Sequence, residues 1–100
     1  MTQSNEKEFL RKAMNFVSKN GQTMSTPSIY ALAKYVHERV PPGGFLQAVL
    51  TNDLASAVAQ ADEENVEKIP AYVEFIYNNI PHAAWGNPKK VNNWIINKGE

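Results

Sequence analysis

Apolar residues in this chain recur at three- and four-residue steps, and prolines and glycines cut that pattern into short pieces. Such spacing lines one side of a helix but falls on both faces of a strand. No stretch alternates apolar and polar residues over more than four positions, so strands have no support. The expectation is an all-α fold, a compact bundle of roughly five or six short helices. Residues 1–100 are expected to form a single domain, with 1–4 and 98–100 frayed.

The punctuation supplies the helix ends. Asn5 and Glu8 are spaced as a capping box. Phe9, Leu10, Ala13, Met14 and Val17 follow as a stripe that Asn20-Gly21 closes. Thr26 as N-cap and Pro27 at the first helical position open a second helix carrying Ile29, Leu32, Ala33, Val36 and Val40. Pro41-Pro42-Gly43-Gly44 stops it, because a proline disfavours helix in the residue before it. Phe45, Leu46, Val49, Leu50, Leu54 and Val58 then read as one helix over 44–61, single or slightly kinked. Thr51, Asn52 and Asp53 offer a break, since they compete for backbone hydrogen bonds. Asp62 caps the next helix, with Glu63 and Glu64 at the positive end of its dipole. Its stripe is Val66, Ile69, Val73, Ile76, Tyr77 and Ile80. A kink or a break is expected near Pro70, because a proline costs a helix interior about 3 kcal/mol. Beyond Pro81 and a loop over 82–86, Asn87-Pro88 repeats the cap, and Val91, Trp94 and Ile95 form a last stripe that ends at Gly99.

Composition removes several function classes. Without cysteine there is no disulfide, thiolate nucleophile or cysteine metal site, which suits a reducing compartment. The opening MTQSNEKE is polar with no apolar signal core after it, and no apolar run approaches the ~20 residues of a bilayer span. A cytoplasmic protein with no membrane contact is expected. Residues 1–50 hold six basic and three acidic side chains, and residues 51–100 hold four and seven. That is no basic face for nucleic acid. The opposite signs favour self-association, so a homo-oligomer is expected. His37 and His82 stand apart from any serine–base or HExxH spacing, and Asp53, Asp62, Glu63, Glu64 and Glu67 lack the spacing of a calcium loop. No enzymatic activity, catalytic residue, cofactor or metal site is therefore expected.

Three features point to binding. At Pro41-Pro42-Gly43-Gly44-Phe45 a stiff elbow launches a helix whose first N–H groups suit an anion, although a plain connector has the same sequence. No Lys-Ser/Thr follows, so it is not a nucleotide phosphate loop. Asn52 and Asp53 interrupt an apolar pattern and face either solvent or a partner. Trp85, in a loop beside Gly86, is either a core plug or a stacking platform.

The stretch from Pro41 to Leu54, together with Ala61-Asp62, Phe75-Ile76-Tyr77-Asn78 and Pro81 through Val91, resembles a group of small proteins encoded by tailed bacteriophages and prophages. Their shared pattern is a PPGGFL-x-AVL-x-NDL core with a later WG-S/N-P segment, and the likeness covers residues 30–95. The resemblance implies a phage accessory protein working in the host bacterial cytoplasm by binding, either sequestering a nucleotide-like signal of host defence or capping a host protein. In the first mode Gly43 and Gly44, with Phe45 beside them, present backbone donors to phosphate. Asn52, Asp53 and Asn78 supply hydrogen bonds, and Tyr77 and Trp85 stack on a base. In the second the aromatic and acidic C-terminal half forms the patch. A small helical DNA-binding regulator is the alternative, though the Asn20–Thr26 connector is long for a helix-turn-helix.

Overall fold

Short polar side chains start most of the helices. In the structure, a computed structural model describing residues 2–20 and 24–96, the order is α1 (Thr2–Asn20), α2 (Thr26–Glu38), α3 (Gly44–Leu50), α4 (Leu54–Gln60), α5 (Glu63–Asn79), a 3-10 turn (His82–Ala84) and α6 (Pro88–Ile96). The fold is all-α, and its radius of gyration of 12.8 Å matches the roughly 13 Å of a packed chain of this length. Asp62 caps α5 by accepting from the Asn65 N–H at 2.7 Å, and Asn87 caps α6 by accepting from the Lys90 N–H at 2.9 Å, both as the sequence predicts. No described helix is long and apolar enough to cross a membrane.

Several boundaries differ from the sequence reading. Helix α1 is already running at Thr2, so Asn5 lies within it rather than at its cap. Its close at Asn20 holds, while Gly21 and Gly99 lie outside the described residues. Helix α2 is capped by Ser25, whose hydroxyl accepts from the Ser28 N–H, which puts Pro27 at the second helical position. The same helix stops at Glu38, short of the prolines, because Arg39 turns left-handed at φ 62°. The Arg39 and Val40 N–H groups then fold back onto the Tyr35 and Lys34 carbonyls.

Two corrections bear on function. The 44–61 helix is broken: Asn52 adopts φ 64°, a left-handed conformation that asparagine tolerates better than most residues. Asp53 then caps a new helix through the Ser56 N–H at 3.1 Å. Its carboxyl sits below the usual carboxylate range because the Ser56 backbone and hydroxyl both donate to it. At Pro70, of the kink or break expected there, the break does not form: helix α5 runs through the proline, with Ile69 inside.

Phe9 and Ala13 of α1, Ile29, Leu32, Ala33 and Tyr35 of α2, Leu46 and Leu50 of α3, and Tyr72, Phe75 and Ile76 of α5 meet in one buried cluster. Tyr35, which the α2 stripe omitted, is fully enclosed and donates its hydroxyl to the Ala84 carbonyl at 2.6 Å. Its carbonyl accepts from the Trp94 indole at 3.0 Å, while Arg39 stacks on that indole and donates to the Trp94 carbonyl at 2.9 Å. Helix α6 is thus tied to the end of α2. Phe75 anchors α1, with Phe9 edge-on at 5.4 Å and Phe16 tilted at 5.6 Å.

Candidate functional site, an apolar face on helices 4 and 5

The break at Asn52 decides what this protein presents to solvent. A continuous helix would have carried Leu54 and Val58 on the same stripe as Leu46 and Leu50. The left-handed residue re-aims the chain instead, and Leu54 and Val58 stay 67% and 47% exposed while Leu46 and Leu50 are buried. Helix α5 behaves similarly. Ile69, Ile76 and Ile80 of its predicted stripe are buried, with Tyr72 and Phe75 beside them, whereas Val66, Val73 and Tyr77 remain 38%, 44% and 61% exposed. At about 100° per residue, Val66, Pro70, Val73 and Tyr77 fall within a sector of about 60°. They form a second apolar line pointing away from the core.

These two exposed sets adjoin. Leu54 and Val73 line one notch together with the buried Ala48, Val49, Ala57 and Ile69 and the exposed Asn52 and Asp53. The notch holds about 30 Å³, the room of one water or methyl group. Single exposed apolar residues are ordinary, whereas here several lie on two adjoining helices.

Tyr77 continues the face into an aromatic cluster. Its ring lies 6.1 Å from His82 and 5.9 Å from Trp85, and those two are 6.2 Å apart, all within the range of attractive ring pairs. With Gly86 and Lys90 they wall a shallow cleft of about 220 Å³. Trp85 spans two environments. It is half-buried against the core, it touches exposed rings, and its enclosed indole N–H has no hydrogen-bond partner. Gly86 fixes this corner: it sits at φ 124° and its N–H donates to the Leu50 carbonyl at 2.7 Å. Gly86→Ala is expected to cost about 2 kcal/mol, because an L side chain is strained at that angle, and to change Trp85 fluorescence. An unchanged melting temperature and emission would refute that role.

The remaining candidate residues do not join this corner. Gly43 and Gly44 begin α3, and Gly86 meets its other end, six residue steps or about 9 Å away. Phe45 packs edge-on against Tyr72 at 5.4 Å. A Cβ at Gly44 would overlap the Gln60 side-chain amide, so Gln60 lies over the elbow. Asn78 is exposed, with its amide donating to the Glu74 carbonyl of its own helix at 2.9 Å. Of the sequence candidates, the fold sets Asn52 and Asp53 on the notch and pairs Tyr77 with Trp85. Leu54, Val58, Val66 and Val73 belong to the apolar stripes of the sequence, and periodicity cannot separate a buried stripe from an exposed one.

A further cleft of about 250 Å³ lies among α1, the end of α2 and the end of α5, with Glu8, Lys12 and His37 on its walls. The His37 Nε2 is enclosed there without a hydrogen-bond partner, its ring edge-on to Phe9 at 5.7 Å. Glu8 is engaged by Arg11, which holds its carboxyl below the usual range. Among the described residues no group of three or more histidine, cysteine, aspartate or glutamate side chains is placed to hold a metal ion. Compared with known proteins, the chain matches no family model, no curated protein and no solved structure.

Proposed function

We propose that this chain is a non-enzymatic binding protein that caps another protein through the α4–α5 face. Its resemblance to tailed-phage accessory proteins points to a host factor, one serving antiviral defence in the bacterial cytoplasm, as the target. The observation that carries this reading is the connected exposure of Leu54, Val58, Val66, Val73 and Tyr77 on two adjoining helices. Capture of a nucleotide-like signal has less support. The glycine elbow and the aromatic rings lie at opposite ends of α3, and the aromatic cleft of about 220 Å³ is below the ~300–1,000 Å³ usual for a small-molecule pocket.

Leu54→Asp combined with Val73→Asp tests the proposal. Both positions are exposed, so folding stability should change by no more than about 0.5 kcal/mol each. A protein retained from host lysate by the wild type is expected to be lost by the double variant. Retention of the same protein by both would sink the reading. So would a rise in melting temperature with nucleotides in a variant that has lost no protein partner.

A further inference from the structure

We infer that the occupant of the α4–α5 face is a basic amphipathic helix of about three turns. This rests on the reading of that face as a docking surface and adds the chemistry of what docks.

Charge carries the argument. The segment 51–79 holds six acidic residues and one basic residue. Glu63, Glu67 and Glu74 are exposed, and helical geometry stacks them in a column about 70° round the axis from the Val66–Pro70–Val73–Tyr77 line. Asp53 borders the other side, on the rim of the notch, and Asp62 stands at the start of α5. Helix α4 carries no charge of its own. Lys68, the single cation of that segment, lies on the far side of α5 and is half-buried, and Lys90 stands beside Tyr77 only at the aromatic end of the line. An apolar line is thus bordered on both sides by carboxylates. Buried apolar contact would supply affinity, and the carboxylates would select lysine and arginine at the flanks.

Geometry sets the length. Val66 to Tyr77 spans about 16 Å of helix axis, the reach of roughly eleven helical residues. A small aliphatic group from the partner suits the notch between Leu54 and Val73. Proline adds a specific acceptor: Pro70 has no N–H, so the Val66 carbonyl lacks its helical donor on this same face. A lysine or arginine can donate to it. A second copy is disfavoured in the symmetric arrangement, because an isologous contact sets the Glu63–Glu67–Glu74 column against itself. The homo-oligomer expected from the end charges would instead have to offer basic side chains of residues 1–50.

The test is a displayed library of helix-forming peptides with a fixed leucine line and flanking positions randomised among Lys, Glu and Gln, selected on the intact protein. Lysine is expected to be enriched at least ~10-fold over glutamate at the flanks, and selected peptides should lose binding to the Leu54→Asp/Val73→Asp variant. Selection on Glu67→Lys/Glu74→Lys should reverse the preference toward glutamate. Equal recovery of lysine and glutamate peptides whose binding still depends on Leu54 and Val73 would overturn the charge assignment and leave the docking face standing. Binding indifferent to Leu54 and Val73, or no selected peptide at all, would overturn the helical occupant. Concentration-dependent dimerisation abolished by Leu54→Asp/Val73→Asp would put a second copy in the groove and overturn the inference equally.

Discussion

Phe75→Ala is expected to cost about 3–5 kcal/mol, the range for removing a fully enclosed phenylalanine, and to lower the urea midpoint accordingly. Domains of this size are stable by only about 5–15 kcal/mol, so the variant should sit near the edge of folding. The loss has a direction as well as a size. Phe75 is wholly buried and both aromatic anchors of α1, Phe9 and Phe16, rest on it. Amides of α1 should therefore lose exchange protection before those of α6, which is held from α2 by Arg39 and Tyr35. A uniform loss of protection would show that Phe75 supports the bundle as a whole rather than the seat of α1.

Raising the pH from 9 to 12 is expected to remove about 2–3 kcal/mol through one side chain. Burial pushes the Tyr35 hydroxyl up to about 12, against an opposing pull from the Arg39 charge. A folded-state value above the unfolded one means that the fold favours the protonated phenol. Its contribution is complete below the ordinary value near 10 and is lost as pH climbs through about 12. Tyr35→Phe separates the parts. At neutral pH it should lose about 1–2 kcal/mol, because the Ala84 carbonyl is left without its donor. Its alkaline decline should also be shallower than that of the wild type. Parallel decline of the two proteins between pH 10 and 12 would assign the effect to another group.

Much of the architecture was readable because its signals are local. Pro81 holds the residue before it out of the helix, which ends α5, and Asp62 and Asn87 cap through atoms three residues away. The all-α class needed only the three- and four-residue spacing. What could not be read depends on how elements meet. The sequence offers the Asn52 break and the unbroken helix as near equals. The fold takes the left-handed turn at Asn52, with Asp53 accepting from Ser56. Pro70 does not break its helix, since its intrinsic cost is offset where Ile69, Tyr72, Phe75 and Ile76 pack the same helix into the core. The exposed apolar face proposed for docking was hidden for a related reason: α5 has two apolar lines, and periodicity merges them into one. Charge gave the missing hint, since Glu63, Glu67 and Glu74 run beside Val66, Val73 and Tyr77 rather than beside Tyr72 and Phe75.

The long-range ties of Tyr35 and Arg39 have a consequence for biosynthesis. The ribosome makes α2 well before Ala84 and Trp94, so the Tyr35 hydroxyl and the Arg39 guanidinium emerge with no acceptor to meet. Nascent chains stopped short of residue 94 would carry an α2 that is greasy, unclosed and attractive to chaperones. Arrest at successive lengths should place the gain of protease resistance late, once Trp94 has cleared the exit tunnel, rather than in helix-by-helix steps.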